Sequence, residues 1–187
     1  TYILQEFTSR GEAHHVEFRG KPTEHTDFDI ITYGVQDRGY LQNGVLVKAP
    51  GFSIIGEGKS AFGHGWTGRG KVDYLSSLFF RQQFTESFNE AIFAETHSVG
   101  YLERRFNDFS LHVVASRTDN FLDARPGNSV VIRQLPGVEF DTQDHPLLEG
   151  RIPLYFSLDS GYGLLHRSEP RPNDIPGAGY YTTSQFT

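Results

Sequence analysis

The chain has 187 residues, of which 37% are hydrophobic and 14% aromatic, with 16 Phe, 9 Tyr and 20 Gly. A net charge of −6 at neutral pH argues against a nucleic-acid protein, because neutralising phosphates needs a basic face. The absence of Cys excludes a disulfide scaffold and any thiolate metal site in this stretch, and no apolar run approaches the roughly 20 residues of a membrane helix.

There is no Met and no signal peptide, so the chain reads as an internal piece of something longer. If it meets a membrane, it does so with strands, whose alternate residues alone touch lipid. By composition the competing reading is a soluble all-β domain.

Nine extended segments are expected in chain order, near residues 1–9, 12–19, 26–36, 51–62, 66–77, 93–106, 108–118, 128–141 and 152–167. The first two meet at Ser9-Arg10-Gly11-Glu12, a tight turn signal. In the second, Val16 and Phe18 alternate with His15, Glu17 and Arg19. Gly20–His25, Gly63-His64-Gly65 and Asn107-Asp108 are further hairpin-sized links, so neighbours in sequence should pair antiparallel. The links Asp37–Pro50, Leu78–Ile92, Asp119–Gly127 and Asp141–Arg151 are longer. Short and long connections largely alternate, as in an up-and-down membrane barrel with short periplasmic turns and long outer loops. Thr85–Ala94 could form a helical turn with Thr85 as N-cap. Residues 170–187, with Pro170, Pro172 and Pro176, read as a loop-like tail.

Three segments alternate most clearly. Trp66, Gly68, Gly70, Val72 and Tyr74 oppose Thr67, Arg69, Lys71 and Asp73. Phe109, Leu111, Val113 and Ala115 oppose Ser110, His112 and Ser116, and Leu154, Phe156, Leu158, Tyr162 and Leu164 oppose Ser157, Asp159 and Arg167. Successive side chains on a strand point to opposite faces, so each segment has an apolar and a polar face. Several glycines (Gly56, Gly58, Gly68, Gly70) fall on the apolar face, where they mark bends or close approach.

Motifs for chemistry fail on inspection. Gly56-Glu57-Gly58-Lys59-Ser60 looks like the end of a phosphate loop, but the required earlier glycine is Ser53 and a turn follows instead of a helix. The eight His are scattered, with no metalloprotease spacing, and no nucleophile elbow occurs. Glu86 and Glu90, or Asp141 and Asp144, fall in expected loops. No catalytic, cofactor or metal residue is assigned.

The stretch Val72–Phe121 is distinctive. It reads Val72-Asp73-Tyr74-Leu75-Ser76-Ser77, then Phe79 through Ala91, His97-Ser98-Val99-Gly100-Tyr101 and Phe109-Ser110-Leu111. Val130–Arg133, Pro136–Phe140 and Pro153–Asp159 with His166-Arg167 agree with it. Together these resemble the barrel domain of the lipopolysaccharide-assembly outer-membrane protein family (LptD, or organic solvent tolerance protein), in its acidobacteria-like form. The family's periplasmic domain, its closing strands and the paired cysteines of some members are absent from this stretch.

The resemblance implies part of a bacterial outer-membrane translocon that inserts lipopolysaccharide into the outer leaflet, and not an enzyme. Its implied partners are lipopolysaccharide, the outer-membrane bilayer, a plug lipoprotein and the periplasmic bridge proteins. The expected fold is all-β, an antiparallel meander of about nine strands forming part of a large transmembrane barrel, with residues 1–187 as a single partial domain. On that reading Trp66, Val72, Tyr74, Phe109, Leu111, Val113, Leu154, Phe156 and Leu158 face lipid. Arg69, Lys71, Asp73, Ser110, His112, Ser157 and Asp159 face the lumen. The alternatives are another large barrel, porin or uptake receptor, and a soluble all-β module binding carbohydrate or another ligand.

Overall fold

Period-two alternation over long stretches, punctuated by Gly and Asn at turns, produces strands joined mostly in sequence order. A computed structural model describes residues 1–85, 88–125, 127–142, 145–146, 155–170 and 180–186. In chain order the elements begin with β1 (Tyr2–Phe7), β2 (Gly11–Thr23), β3 (Thr26–Asp37), β4 (Tyr40–Gln42) and β5 (Val45–Val47). Next come β6 (Gly51–Gly63), β7 (Trp66–Leu75), α1 (Leu78–Phe84), α2 (Phe88–Ile92), β8 (Glu95–Phe106) and β9 (Phe109–Phe121). β10 (Ser129–Thr142), β11 (His145–Pro146), β12 (Tyr155–Phe156), β13 (Asp159–Pro170) and β14 (Tyr180–Phe186) complete the chain.

Ten of these strands form one antiparallel sheet in the order β1-β2-β3-β6-β7-β8-β9-β10-β13-β14. β4–β5 and β11–β12 are separate two-stranded pairs, excursions from the meander. The large sheet is open, with β1 and β14 at its edges. At one end, Glu24-His25, His64-Gly65 and Asn107-Asp108 are two-residue turns, and the fourth connection, β10 to β13, is long. This end is called the turn end below. The opposite, loop end carries a tight β1–β2 turn and the longer β3–β6, β7–β8, β9–β10 and β13–β14 connections.

The loop end of one face is covered by α1. Ser77 caps it, its hydroxyl accepting the Phe80 N–H at 3.1 Å, and the helix stops where Thr85 turns extended at ψ 141°. Phe80 is 2% exposed and lies with Leu78 among Ala13, Val35 and Leu75. Phe80 also meets Tyr33 and Phe84 at ring distances of 6.0 and 5.8 Å. The Phe80 ring rests on the backbone of Gly51, where a Cβ would come within 2.6 Å of it. This small cluster is the hydrophobic core.

Eight of the nine expected segments appear as strands of the large sheet within a few residues. Four readings need correction. The ninth strand starts at Asp159, not near residue 152, and Tyr155–Phe156 instead pairs with His145–Pro146. The loop-like tail contains a tenth strand, β14, whose Tyr-Tyr-Thr-Thr run has the β propensity that the preceding prolines concealed; residues 171–179 lie outside the described residues. The helical turn expected over Thr85–Ala94 is present as α2, but Thr85 is the C-cap of α1, a preceding helix capped at Ser77, and not an N-cap. The link after Asp37 holds a hairpin, turned by Asn43 (φ 51°) and Gly44 (φ 80°), the residue pair that a two-residue turn with positive φ at both positions favours.

Candidate functional site

Directly paired residues of an antiparallel sheet share a face, so the register assigns every side chain of the described ladder. One face gathers Val16, Phe18, Phe28, Ile30, Ile54, Val72, Leu102, Leu111, Val113, Val138 and Tyr162. Many of these are open to the surroundings, among them Phe18 (59% exposed), Val72 (46%) and Tyr162 (53%). Among the described residues no second layer covers this face; α1 and the core lie on the other. Soluble monomers rarely leave so large a contiguous apolar surface.

Aromatic rings border this surface. Toward the turn end Phe18 meets Phe28 at 5.4 Å, and Phe109 meets Phe106 and Phe140 at 5.8 and 5.7 Å. Trp66 and Phe62 join them. Arg104 shares the face, its guanidinium 5.4 Å from the Trp66 ring and 5.6 Å from that of Phe106. Toward the loop end Phe52 meets Tyr74 at 5.4 Å, and Tyr2 stacks on His14. From Trp66 to Tyr74 is eight steps along β7, about 26 Å at ~3.3 Å per residue.

The apolar band crosses the ladder obliquely. The paired row Phe18–Ile30–Gly56–Val72 is apolar. One step past the Lys71–Val99 pair it meets Ser98–Arg117–Arg133–His166, which is polar. On the later strands the apolar residues lie nearer the turn end.

Within the band is a trough of about 660 Å³. Its floor follows the paired row Gly58–Gly70–Gly100–Ala115, and Phe28, Ile30, Val72, Leu102 and Val113 form walls. Elsewhere on the face glycines are roofed: a Cβ on Gly20 would strike the Phe28 ring at 2.4 Å, and one on Gly68 the Phe62 ring at 2.8 Å. Over Gly70 and Gly100 it would meet nothing nearer than a carbonyl at 3.9 Å.

Toward the turn end the opposite face is charged; nearer the core its rows turn apolar at Ile31 and Ile55. Arg19 pairs with Asp29 at 2.9 Å and Lys59 with Asp27 at 3.3 Å, while Glu57, Arg69 and Lys71 continue the same rows. Such exposed pairs add little stability, so their effect is to keep the face wet. His112 bonds the Tyr101 hydroxyl and reaches Asp141 at 3.2 Å. A second hollow of about 550 Å³ lies between this face and the helices, lined by His15, Tyr33, Asp73, Arg81 and Glu90. Burial there pushes the Arg81 guanidinium pKa down, against the pull of Asp73 and Glu90.

The loop end is fastened by Asp37, whose carboxylate is fully enclosed. It accepts both arms of Arg10 at 2.9 Å, and the N–H groups of Gly39 at 2.9 Å and Ala49 at 2.7 Å. The Arg10 guanidinium lies over Tyr40 and Phe84. The β1–β2 turn, the β4–β5 excursion and α1 therefore meet at one ion pair.

Of the sequence-derived residues, Trp66, Val72, Tyr74, Phe109, Leu111 and Val113 share the apolar face. Arg69, Lys71, Asp73, Ser110, His112 and Asp159 share the polar one. Leu154 lies outside the described residues. Phe156 belongs to β12 rather than to the large sheet, Ser157 is in the following link, and Leu158 sits just before β13, its N–H donating to Thr142 Oγ1 at 2.8 Å. The apparent strand alternation at 155–158 thus falls in β12 and the link that follows it. The phosphate-loop look-alike is the interior of β6, extended and paired on both sides. Sequence reasoning missed Arg104, Gly100 and the Asp37 fastening. Gly100 and Arg104 fall at the same parity as Leu102, a signal that was available.

The fold is thus an open antiparallel meander with one apolar and one charged face. The chain matches no protein-family model and no curated protein.

Proposed function

We propose that the ten-stranded sheet forms part of the wall of a larger outer-membrane β-barrel, with the apolar face toward lipid and the charged face toward a hydrated lumen. The observation that carries this reading is the uncovered apolar band bordered on both sides by aromatic residues, the arrangement of membrane barrels. Strands tilted by about 40° would bring the 26 Å between Trp66 and Tyr74 to about 20 Å along the membrane normal, near the height of such a band. The oblique course of the band is what tilted strands produce. The two-residue turns at one end support the same orientation, with that end periplasmic.

For the cargo, the resemblance around Val72–Phe121 supports lipopolysaccharide, carried into the outer leaflet beside a plug lipoprotein and after delivery by periplasmic bridge proteins. A lipid with a charged head and several acyl chains needs a wet and a greasy surface side by side, and this wall offers both.

The chain has no Cys, so single cysteines report without background. In lipid vesicles Arg69→Cys and Lys71→Cys should react with a polar maleimide, while Gly70→Cys and Val72→Cys should resist it. Uniform reactivity along β7 would dismiss the wall. A photoreactive residue in place of Tyr101 should capture lipopolysaccharide in cells; capture of none, with the alternation intact, would leave a barrel of another cargo.

A further inference from the structure

The trough over Gly70 and Gly100 asks for an occupant. Glycine inside a strand is destabilising relative to alanine, and neither residue has the positive φ that would demand it. Nor does crowding demand it, since a Cβ at either position would meet nothing nearer than 3.9 Å. Gly20 and Gly68, by contrast, make room for the Phe28 and Phe62 rings. The hollow is therefore one the protein's own side chains leave open, although Leu102, Val113 and Ile30 stand around it. Its volume, about 660 Å³, lies within the range of ligand sites.

The chemistry at its margin is one-sided. Arg104 faces Trp66 and Leu111 across the ladder, two residues toward the turn end from Leu102 on the trough wall. Its Nε is buried and has no hydrogen-bond partner, and among the described residues no carboxylate pairs with it. The neighbouring Arg105 is different: it sits on the charged face and pairs with Glu103. An unpaired guanidinium among aromatic rings, beside an apolar trough, complements a molecule with an anionic head and a hydrocarbon tail.

We propose that this trough is a binding site for one anionic phospholipid, its acyl chain lying over Gly70 and Gly100 and its phosphate bound by Arg104. The inference rests on the membrane-wall reading. It adds a selective lipid site at the aromatic border nearest the turns, where that reading alone requires only nonspecific solvation. Guanidinium and phosphate form charge-assisted bonds that a zwitterionic head satisfies less well.

Trp66 is the sole tryptophan of the chain and lies beside Arg104, so its fluorescence reports the site. The protein is placed in phosphatidylcholine vesicles containing a tenth of either dibrominated phosphatidylglycerol or dibrominated phosphatidylcholine, with the bromines on the acyl chain. Quenching by the glycerol lipid should exceed that by the choline lipid several-fold. Arg104→Gln should bring the two to equality, Arg104→Lys should restore part of the difference, and Gly100→Leu should abolish the preference by filling the trough. Equal quenching by both lipids in the unaltered protein overturns the site while leaving the wall standing. Loss of preference in Gly100→Leu without loss in Arg104→Gln overturns the assignment of the phosphate to Arg104. No quenching even in vesicles made wholly of the brominated choline lipid shows that Trp66 does not reach the bilayer, and overturns both readings.

Discussion

Asp37 shows how much one side chain can hold. Four hydrogen bonds converge on its carboxylate, two from Arg10 and two from backbone N–H groups beyond the end of β3. Removing one partner of an enclosed pair strands the other, and each buried N–H left without an acceptor adds its own desolvation cost. Arg10 keeps some access to solvent, which softens the loss. Asp37→Ala should therefore destabilise the folded protein by about 2–4 kcal/mol in denaturant titration. Asp37→Asn should cost less, because an amide oxygen can still serve one of the N–H groups. If Asp37→Ala left the midpoint unchanged, the loop end would be held by something else. None of this was legible in the sequence: Arg10 and Asp37 are 27 positions apart, and only the register of β2 on β3 brings them together. Alternation, in contrast, is a local property, and it places Lys71 and Val72 on opposite faces without any knowledge of partners.

At the level of elements, the long strands announced themselves because each carries several repeats of the pattern. The short ones did not. β4 and β5 have three residues each, too few for periodicity to show, although Asn43-Gly44 is a strong hairpin signal in its own right. α1 was obscured because Leu78-Phe79-Phe80 reads equally as strand or helix, and Ser77 decides the matter only once its hydroxyl meets the Phe80 N–H. That helix brings Leu78 and Phe80 to the core, and Phe80 is its most deeply buried large side chain, so Phe80→Ala should cost about 3–5 kcal/mol. Hydrogen exchange should accelerate at the loop ends of β2, β3 and β7, which Phe80 and its neighbours cover, while the ladder around Leu102 and Val113 keeps its protection. Uniform loss of protection would mean that the sheet unfolds as one unit and that α1 is not a separate prop.

For the molecule as a whole, the decisive property is which face is greasy. Val113→Arg places a cation on the apolar band and should cost about 2–4 kcal/mol in a bilayer, whereas His112→Arg, next in sequence, should cost well under 1 kcal/mol because Asp141 can pair with the new guanidinium. Equal costs, measured by unfolding from vesicles, would remove the distinction between the faces. The general architecture could be read in advance because strand order follows chain order; the stretch at 155–158 misled because β12 and the link after it imitate the alternation of the long strands. The glycine floor has one more consequence. Across Gly58, Gly70 and Gly100 the sheet is a bare backbone on its apolar side, while Lys59, Arg69 and Tyr101 load the other side. A sheet so unevenly weighted resists curling least along that line. Curling toward the apolar side draws Phe28 and Val113 together and narrows the trough; flattening widens it. The capacity of the trough is thereby coupled to the curvature of the sheet, so that a crease three glycines long makes local shape and open volume a single variable.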